Sequence, residues 1–423
     1  MAPRQIEVFV QIAGEDVLAG RLWSHRRQRT ESETFAYSPS YLARNGAYAL
    51  DPALPLVSGQ IQTPVGRAMF GAFSDCAPDR WGRMLIRRRA RRAGRGGGSA
   101  AAEAFGEIDF LLGVRDDLRQ GALRFRDPES EQFLANERSG VPHLVDLPRL
   151  LDLSDRAERD VASEEELEIL LKGGSSLGGA RPKAHVIDRL GRIAIAKFPR
   201  PEGDDWDVAA WEAIALRLAR GAGLTVADSD LIDVGGRAVL IVDRFDRRGE
   251  QRVGYVSAMT MLEAVDGEAR TYLDLVEVIE EESDRVTEDL RELWRRIAFS
   301  RLISNTDDHL RNHGFLRART GGWSLSPAFG LNPNPEPGAK RFATAIDEGP
   351  EGTGLEELLA VAELFRLGRG EAEAMVSELS RATSRWREVA REHGMDAGSV
   401  AQMAPAFEHP AADLAREMAS IAY

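Results

Sequence analysis

Ser304-Asn305-Thr306-Asp307-Asp308-His309-Leu310-Arg311-Asn312-His313-Gly314-Phe315 is the stretch whose reading decides the fold. An Asp and an Asn stand five residues apart in it, after an amphipathic helix expected over 291–304 and before a strand expected near 314–318. Asp307 offers a carboxylate that accepts a proton from a hydroxyl, and Asn312 a neutral oxygen that holds a hard cation. The same letters carry other readings. Asp307 and Asp308 cap a turn beside a structural His309, or Asp307, Asp308, His309 and His313 ligate a metal for hydrolysis. A second ligand cluster for such a hydrolase is not evident.

The interval from Asp307 to Asn312 is that of the phosphotransfer loop of protein kinases, H-R-D-x-x-x-x-N. Upstream, residues 173–183 carry four glycines and two serines ahead of a strand. Such a segment is either a flexible connector or a nest of backbone N–H groups for phosphate oxygens, and it fits neither a Walker loop nor a Rossmann fingerprint. A strand over 192–198 ends near Lys197, and a helix over 206–222 contains Glu212, the order in which kinases place a phosphate-binding lysine and its partner glutamate. The apolar strand 238–242 runs into Asp243-Arg244-Phe245-Asp246-Arg247, which suits either a segment joining two lobes or a buried strand with a charged turn. At 330, where a second metal-holding carboxylate is expected, the residue is Gly330.

Composition narrows the field. The 423 residues suffice for two or three domains, and a net charge of −13 argues against a surface devoted to nucleic acid. Arg80, Arg83, Arg87, Arg88, Arg89, Arg91, Arg92 and Arg95 are the local exception, read as a solvated helix face or as a patch for an acidic partner. One cysteine, Cys76, with no secretion signal and no membrane span, points to the cytoplasm. The chain holds only four lysines, Lys172, Lys183, Lys197 and Lys340, and three of them lie around the glycine segment. A hairpin about Gly14-Glu15-Asp16 opens a strand-rich start, 94–102 reads as a tether, and the pattern beyond about 255 is almost wholly helical. We expect an α+β, two-lobed protein-kinase-like fold with a β-rich N-terminal part and a helical C-terminal lobe. Its divisions are 1–125, an N-lobe of 126–250 with phosphate loop and hinge, and a C-lobe of 251–423 with the catalytic loop.

Phe73 through Arg83, Ser176 through Lys183, Val242 through Arg247, Asn305 through Phe315, Ser326-Pro327-Ala328-Phe329 and Leu331-Asn332-Pro333 occur in an order that resembles the HipA-type serine/threonine kinase toxins of type II toxin–antitoxin systems. The resemblance implies ATP and Mg²⁺ as cofactors, with Asp307 as catalytic base and Asn312 as metal ligand. It implies that Gly178, Gly179 and Lys183 form the phosphate loop, that Lys197 contacts the phosphates, and that Asp243 and Phe245 offer backbone contacts to adenine. Ser176 matches the serine whose autophosphorylation silences family members. The implied partner is a HipB-type antitoxin, with DNA reached only through it and no membrane involved; the implied substrate is an aminoacyl-tRNA synthetase. Gly330 departs from the family's metal-binding Asp, and the alternative is a catalytically impaired pseudokinase that keeps its antitoxin and nucleotide contacts.

Overall fold

Alternating apolar residues near the N-terminus form the expected hairpin, with a tighter turn than the sequence suggests. In this computed structural model, which describes residues 4–27, 30–93, 105–135, 140–174, 179–319, 321–347 and 354–421, β1 (Arg4–Ile12) pairs antiparallel with β2 (Glu15–Arg27). Ala13 and Gly14 both take positive φ, 52° and 88°, the two-residue turn whose twist matches the strands it joins. Glu15 and Asp16 therefore belong to the ladder, opposite Ile12 and Gln11. β3 (Thr30–Tyr37), the short β4 (Ile61–Gln62) and β5 (Leu123–Arg126) complete a five-stranded sheet of order β4-β3-β2-β1-β5.

The chain divides into two compact units, Met1–Gly203 with Asp233–Glu263 and Asp204–Ile232 with Ala264–Tyr423. The first unit adds α1 (Arg80–Ala93), α2 (Glu107–Gly113), α3 (Leu147–Glu158) and α4 (Glu164–Lys172). Helix α4 starts at a capping box in which Ser163 accepts from the Glu166 N–H while the Glu166 carboxylate accepts from the Ser163 N–H. A second antiparallel sheet runs β6 (Lys183–Ile187), β7 (Ile193–Lys197) and β8 (Arg237–Asp243).

The arginine ridge on α1 is largely consumed inside the first unit. Arg83 forks onto Glu107 with two bonds of 2.6 Å, and Arg83 and Arg87 lie over the Phe110 ring. Arg88 and Arg92 reach Asp160. Arg80, Arg89 and Arg91 remain exposed, while Arg95 and the expected tether at 94–102 fall outside the described residues.

Residues 243–247 are fastened from below. Asp246, buried, takes a two-pronged bond from Arg244 (2.8 and 2.6 Å), one from Arg247 (2.9 Å) and one from the Gly121 N–H (2.7 Å). Burial works to raise the Asp246 carboxyl, but the two guanidiniums outweigh it and hold it well below the usual carboxylate range.

In the second unit, α5 (Val208–Gly221), α6 (Tyr272–Glu282) and α7 (Val286–Leu302) precede a strand pair, β9 (Gly314–Arg317) and β10 (Trp323–Leu325). Helices α8 (Arg369–Thr383), α9 (Trp386–Glu392), α10 (Ala397–Phe407) and α11 (Pro410–Ile421) follow. Helix α7 begins five residues before the expected 291 and buries Leu290, Leu293, Trp294 and Ile297, the i, i+3, i+4, i+7 stripe of a core helix, with Phe299 buried on the opposite face. Trp386 stacks on Phe407 at 4.8 Å with Trp211 of α5 beside them, which ties α5 to the C-terminal helices. No described helix is long and apolar enough to cross a membrane.

Replacing Asp246 with Asn strands two buried guanidiniums, so Asp246→Asn is expected to cost about 3–5 kcal/mol of stability in urea denaturation. A loss below about 1 kcal/mol would show that the pair is compensated elsewhere.

Candidate active site

Helix α7 ends at Leu302, and two residues on, Ser304 takes a left-handed φ of 51° and starts the loop. Asn305, fully buried, donates its N–H to the Ser300 carbonyl at 2.8 Å, and its Oδ1 accepts the Asn332 N–H at 3.2 Å. Asp307 emerges exposed at the crest. Its carbonyl accepts the His309 N–H at 2.9 Å and the Asn312 Nδ2 at 2.8 Å, so the two residues singled out by spacing are joined directly.

Asp308, the neighbour, faces inward. Its carboxylate accepts from the Tyr272 hydroxyl (2.6 Å) and the Ser300 hydroxyl (3.0 Å) and meets His313 Nε2 at 3.1 Å, while its carbonyl accepts from the Thr344 hydroxyl (2.7 Å). Burial works to raise this carboxyl, yet the charge of His313 and the bonds from His313, Tyr272 and Ser300 hold it at about 2. Both carboxylate oxygens therefore face protein partners in the core. The hydrolytic reading of Asp307, Asp308, His309 and His313 finds no support, because Asp308 and His313 serve each other inside the core and no described group of three His, Cys, Asp or Glu residues is arranged to hold a metal.

Gly330 forms a tight turn beside this loop. Its φ is 70°, and a Cβ placed there would stand 3.1 Å from the Asn312 side chain. The Gly330 N–H donates to Glu212 Oε1 at 3.1 Å, and its carbonyl accepts from Asn332 Nδ2 at 3.2 Å. Glu212, buried on α5, is thereby a holder of the Gly330 turn, a role that its order after Lys197 does not suggest.

The phosphate-loop candidates lie in the first unit. Ser176 and Gly178 fall outside the described residues, as do Ser175 and Leu177. Gly179 has a φ of 112°, and its Cβ position lies 3.4 Å from Lys183 Nζ, so the ammonium rests against that glycine. Lys183 and Lys197 are direct cross-strand partners and emerge on one face. Like charges set opposite each other repel unless a counter-charge is supplied. For Lys183 that counter-charge is Asp79: the two form a buried ion pair, Asp79 also caps α1 through the Gly82 N–H at 2.8 Å, and Trp81 Nε1 donates to the Lys183 carbonyl. The pairing explains chemically why Phe73 to Arg83 belongs with the glycine segment, which spacing alone could not reveal.

His185, also unforeseen, accepts at Nε2 from Arg244 (3.2 Å) and donates from Nδ1 to the Gly173 carbonyl (2.8 Å), because guanidinium only donates and carbonyl only accepts. It joins the stem of the glycine segment to residues 243–247. Asp243 directs its side chain to Arg192 (2.8 Å), and the Phe245 ring tilts over Tyr255.

A family model, the HipA-like C-terminal domain, matches residues 175–386, half of the chain. The chain belongs to the HipA-like family. Among solved structures, the HipA-like chain is similar to a protein of Shewanella oneidensis MR-1 in a complex of HipA, HipB and operator DNA, with a TM-score of 0.64 at 18% identity over 98% of this chain and 99% of that one. That likeness shows a shared two-lobed α+β fold. The Helicobacter pylori proinflammatory kinase CtkA overlays 58% of this chain and 94% of its own with a TM-score of 0.45 and 14% identity. A curated Haemophilus influenzae protein named "Putative kinase" is 24% identical over 190 residues, and the HipA-like chain spans about half of its length (54%).

The Asp308 carboxyl has its folded value, about 2, below the ordinary 3.8, so its contribution is complete above about pH 4 and is lost as pH falls through the folded value. Urea midpoints of the native chain and of Asp308→Asn, followed from about pH 5 to pH 2, are expected to converge by the equivalent of about 2 kcal/mol. Parallel curves would exclude an ionised Asp308 as the anchor.

Proposed function

We propose that this chain is an ATP-dependent serine/threonine protein kinase of toxin–antitoxin type, with Asp307 as the base that receives the proton of the substrate hydroxyl. The observation that carries this reading is the joining of the exposed Asp307 to Asn312 through a 2.8 Å bond, on a loop whose next residue is locked into the core. The bond uses the Asn312 amide N–H and leaves its oxygen as a donor for a hard cation. In the first unit, Lys197 stands cross-strand from the Asp79-paired Lys183 beside Gly179 and is a cationic group of the kind a triphosphate requires. The Asn312 oxygen would suit the metal of a metal-bound nucleotide, which would supply charge neutralisation.

The residues of the chain then divide the work. Asp307 orients the hydroxyl and removes its proton as the oxygen attacks. Asp308, Tyr272 and Ser300 hold Asp307 at the crest of the loop, so little reorganisation accompanies the step. Ser176 is the proposed site of self-modification, since a phosphate there adds charge within the glycine segment itself. A HipB-type antitoxin is the proposed partner, supported by the fold shared with the HipA of a HipA, HipB and operator DNA complex. An aminoacyl-tRNA synthetase as substrate rests on the family resemblance.

One observation favours a second reading, a pseudokinase that binds nucleotide and antitoxin without turnover: Gly330 brings no carboxylate to the metal. The two readings part in a γ-phosphate transfer assay with Mg²⁺ and with Mn²⁺. The kinase reading expects label on Ser176 or on a synthetase, reduced at least ~100-fold by Asp307→Asn. Label that never appears although nucleotide binds would leave the pseudokinase. Gly330→Asp is expected to fold at a cost of about 1 kcal/mol, because Asp tolerates left-handed backbone and Asn312 must shift slightly, and to raise the transfer rate.

A further inference from the structure

Two amides meet at Gly330, and both have their nitrogen ends tied down. Asn312 donates Nδ2 to the Asp307 carbonyl at 2.8 Å, and Asn332 donates Nδ2 to the Gly330 carbonyl at 3.2 Å. Carbonyl oxygens only accept, so the orientation of each amide is set by its partner: nitrogen toward the backbone, oxygen away from it. Asn312 Oδ1 lies 3.1 Å from the point where a Gly330 Cβ would stand. Asn332 Oδ1 is buried and has no hydrogen-bond partner among the described residues, an uncompensated acceptor of the kind that native structures keep for a ligand or pair off. The Asn332 N–H is itself held by Asn305, which fixes the segment to the end of α7. Asp308, the buried acid of the loop, faces Tyr272, Ser300 and His313.

We propose that Asn332 is the second protein ligand of a divalent cation, so that this chain holds its metal with the oxygens of Asn312 and Asn332 instead of with a carboxylate at position 330. The proposal rests on the nucleotide-binding reading above. Its chemical consequence is that both protein ligands are neutral. Two amide oxygens do not offset the cost of dehydrating Mg²⁺ or Mn²⁺, whereas a triphosphate brings the missing negative charge. The cation therefore binds together with a nucleoside triphosphate and not before it. The alternative for Asn332 is structural, closing the Gly330 turn through Nδ2 alone.

Mn²⁺ binding by the full chain, read by electron paramagnetic resonance with and without a non-hydrolysable ATP analogue, separates these roles. Nucleotide binding in EDTA serves as the control, and thermal melting reports folding. The native chain is expected to retain Mn²⁺ only when the analogue is present. Asn332→Ala is expected to weaken Mn²⁺ retention about tenfold, as removal of groups that hold or orient a metal commonly does, without a matching change in EDTA. Asn332→Asp loses the donor to Gly330 and so melts earlier, yet its carboxylate is expected to tighten Mn²⁺ and to permit binding without nucleotide. Opposite signs in stability and in metal affinity are incompatible with a purely structural role. Native Mn²⁺ affinity in both variants, or a loss in Asn312→Ala but not in Asn332→Ala, overturns the proposal. Equal nucleotide affinity of the native chain in EDTA and in Mn²⁺ overturns it as well. Failure of the native chain to bind nucleotide under either condition instead removes the nucleotide-binding reading, and this inference with it.

Discussion

The buried carboxylate of Asp308 is the constraint on which the loop of the second unit depends. Buried without partners, a charged carboxylate would be expelled or neutralised. Here it is ringed by Tyr272 of α6, Ser300 of α7 and His313 just before β9, and its own carbonyl receives Thr344. One residue therefore ties Tyr272, Ser300, His313 and Thr344 to a single point. Because adjacent loop residues face opposite ways, satisfying Asp308 inward presents Asp307 outward. The exposed carboxylate owes its position to the buried one.

The two units answer charge differently. The first is built on compensated cations: Lys183 against Asp79, Arg244 and Arg247 against Asp246, Arg83 against Glu107. Such pairs contribute little net stability but penalise any rearrangement that separates them, which favours a defined geometry around the glycine segment. Around Gly330 one carboxylate, Glu212, takes the backbone N–H, and the side chains of Asn305, Asn312 and Asn332 are amides with nitrogen ends committed to backbone or side-chain oxygens. Neutral amide oxygens suit a cation that arrives with its own counter-charge.

Much of this was legible in the primary structure. The 2-residue and 3.6-residue periodicities locate β6, β7, β8, α5 and the strand pair at 314–317 and 323–325 to within a few residues. The Asp307 to Asn312 interval marks a loop whose two residues do meet. Less legible were places where a long-range partner overrides a local pattern. The arginine run reads as a solvated face, yet Glu107, Phe110 and Asp160 take up much of it. The hairpin turn moved to Ala13-Gly14 because strand twist, not polarity, selects its two residues.

The sequence by itself determined the order of elements, the residues rich in chemistry and the absence of a carboxylate at 330, since these follow from periodicity, spacing and residue identity. Only the tertiary structure decided which of two adjacent aspartates is buried, that Asp79 neutralises Lys183 from 104 positions away, that Glu212 holds the Gly330 turn, and that Asn332 keeps an unpartnered oxygen beside it. The physical reason is the same in each case. Burial and hydrogen-bond partnership are properties of neighbours in space, and for these residues the neighbours come from distant parts of the chain.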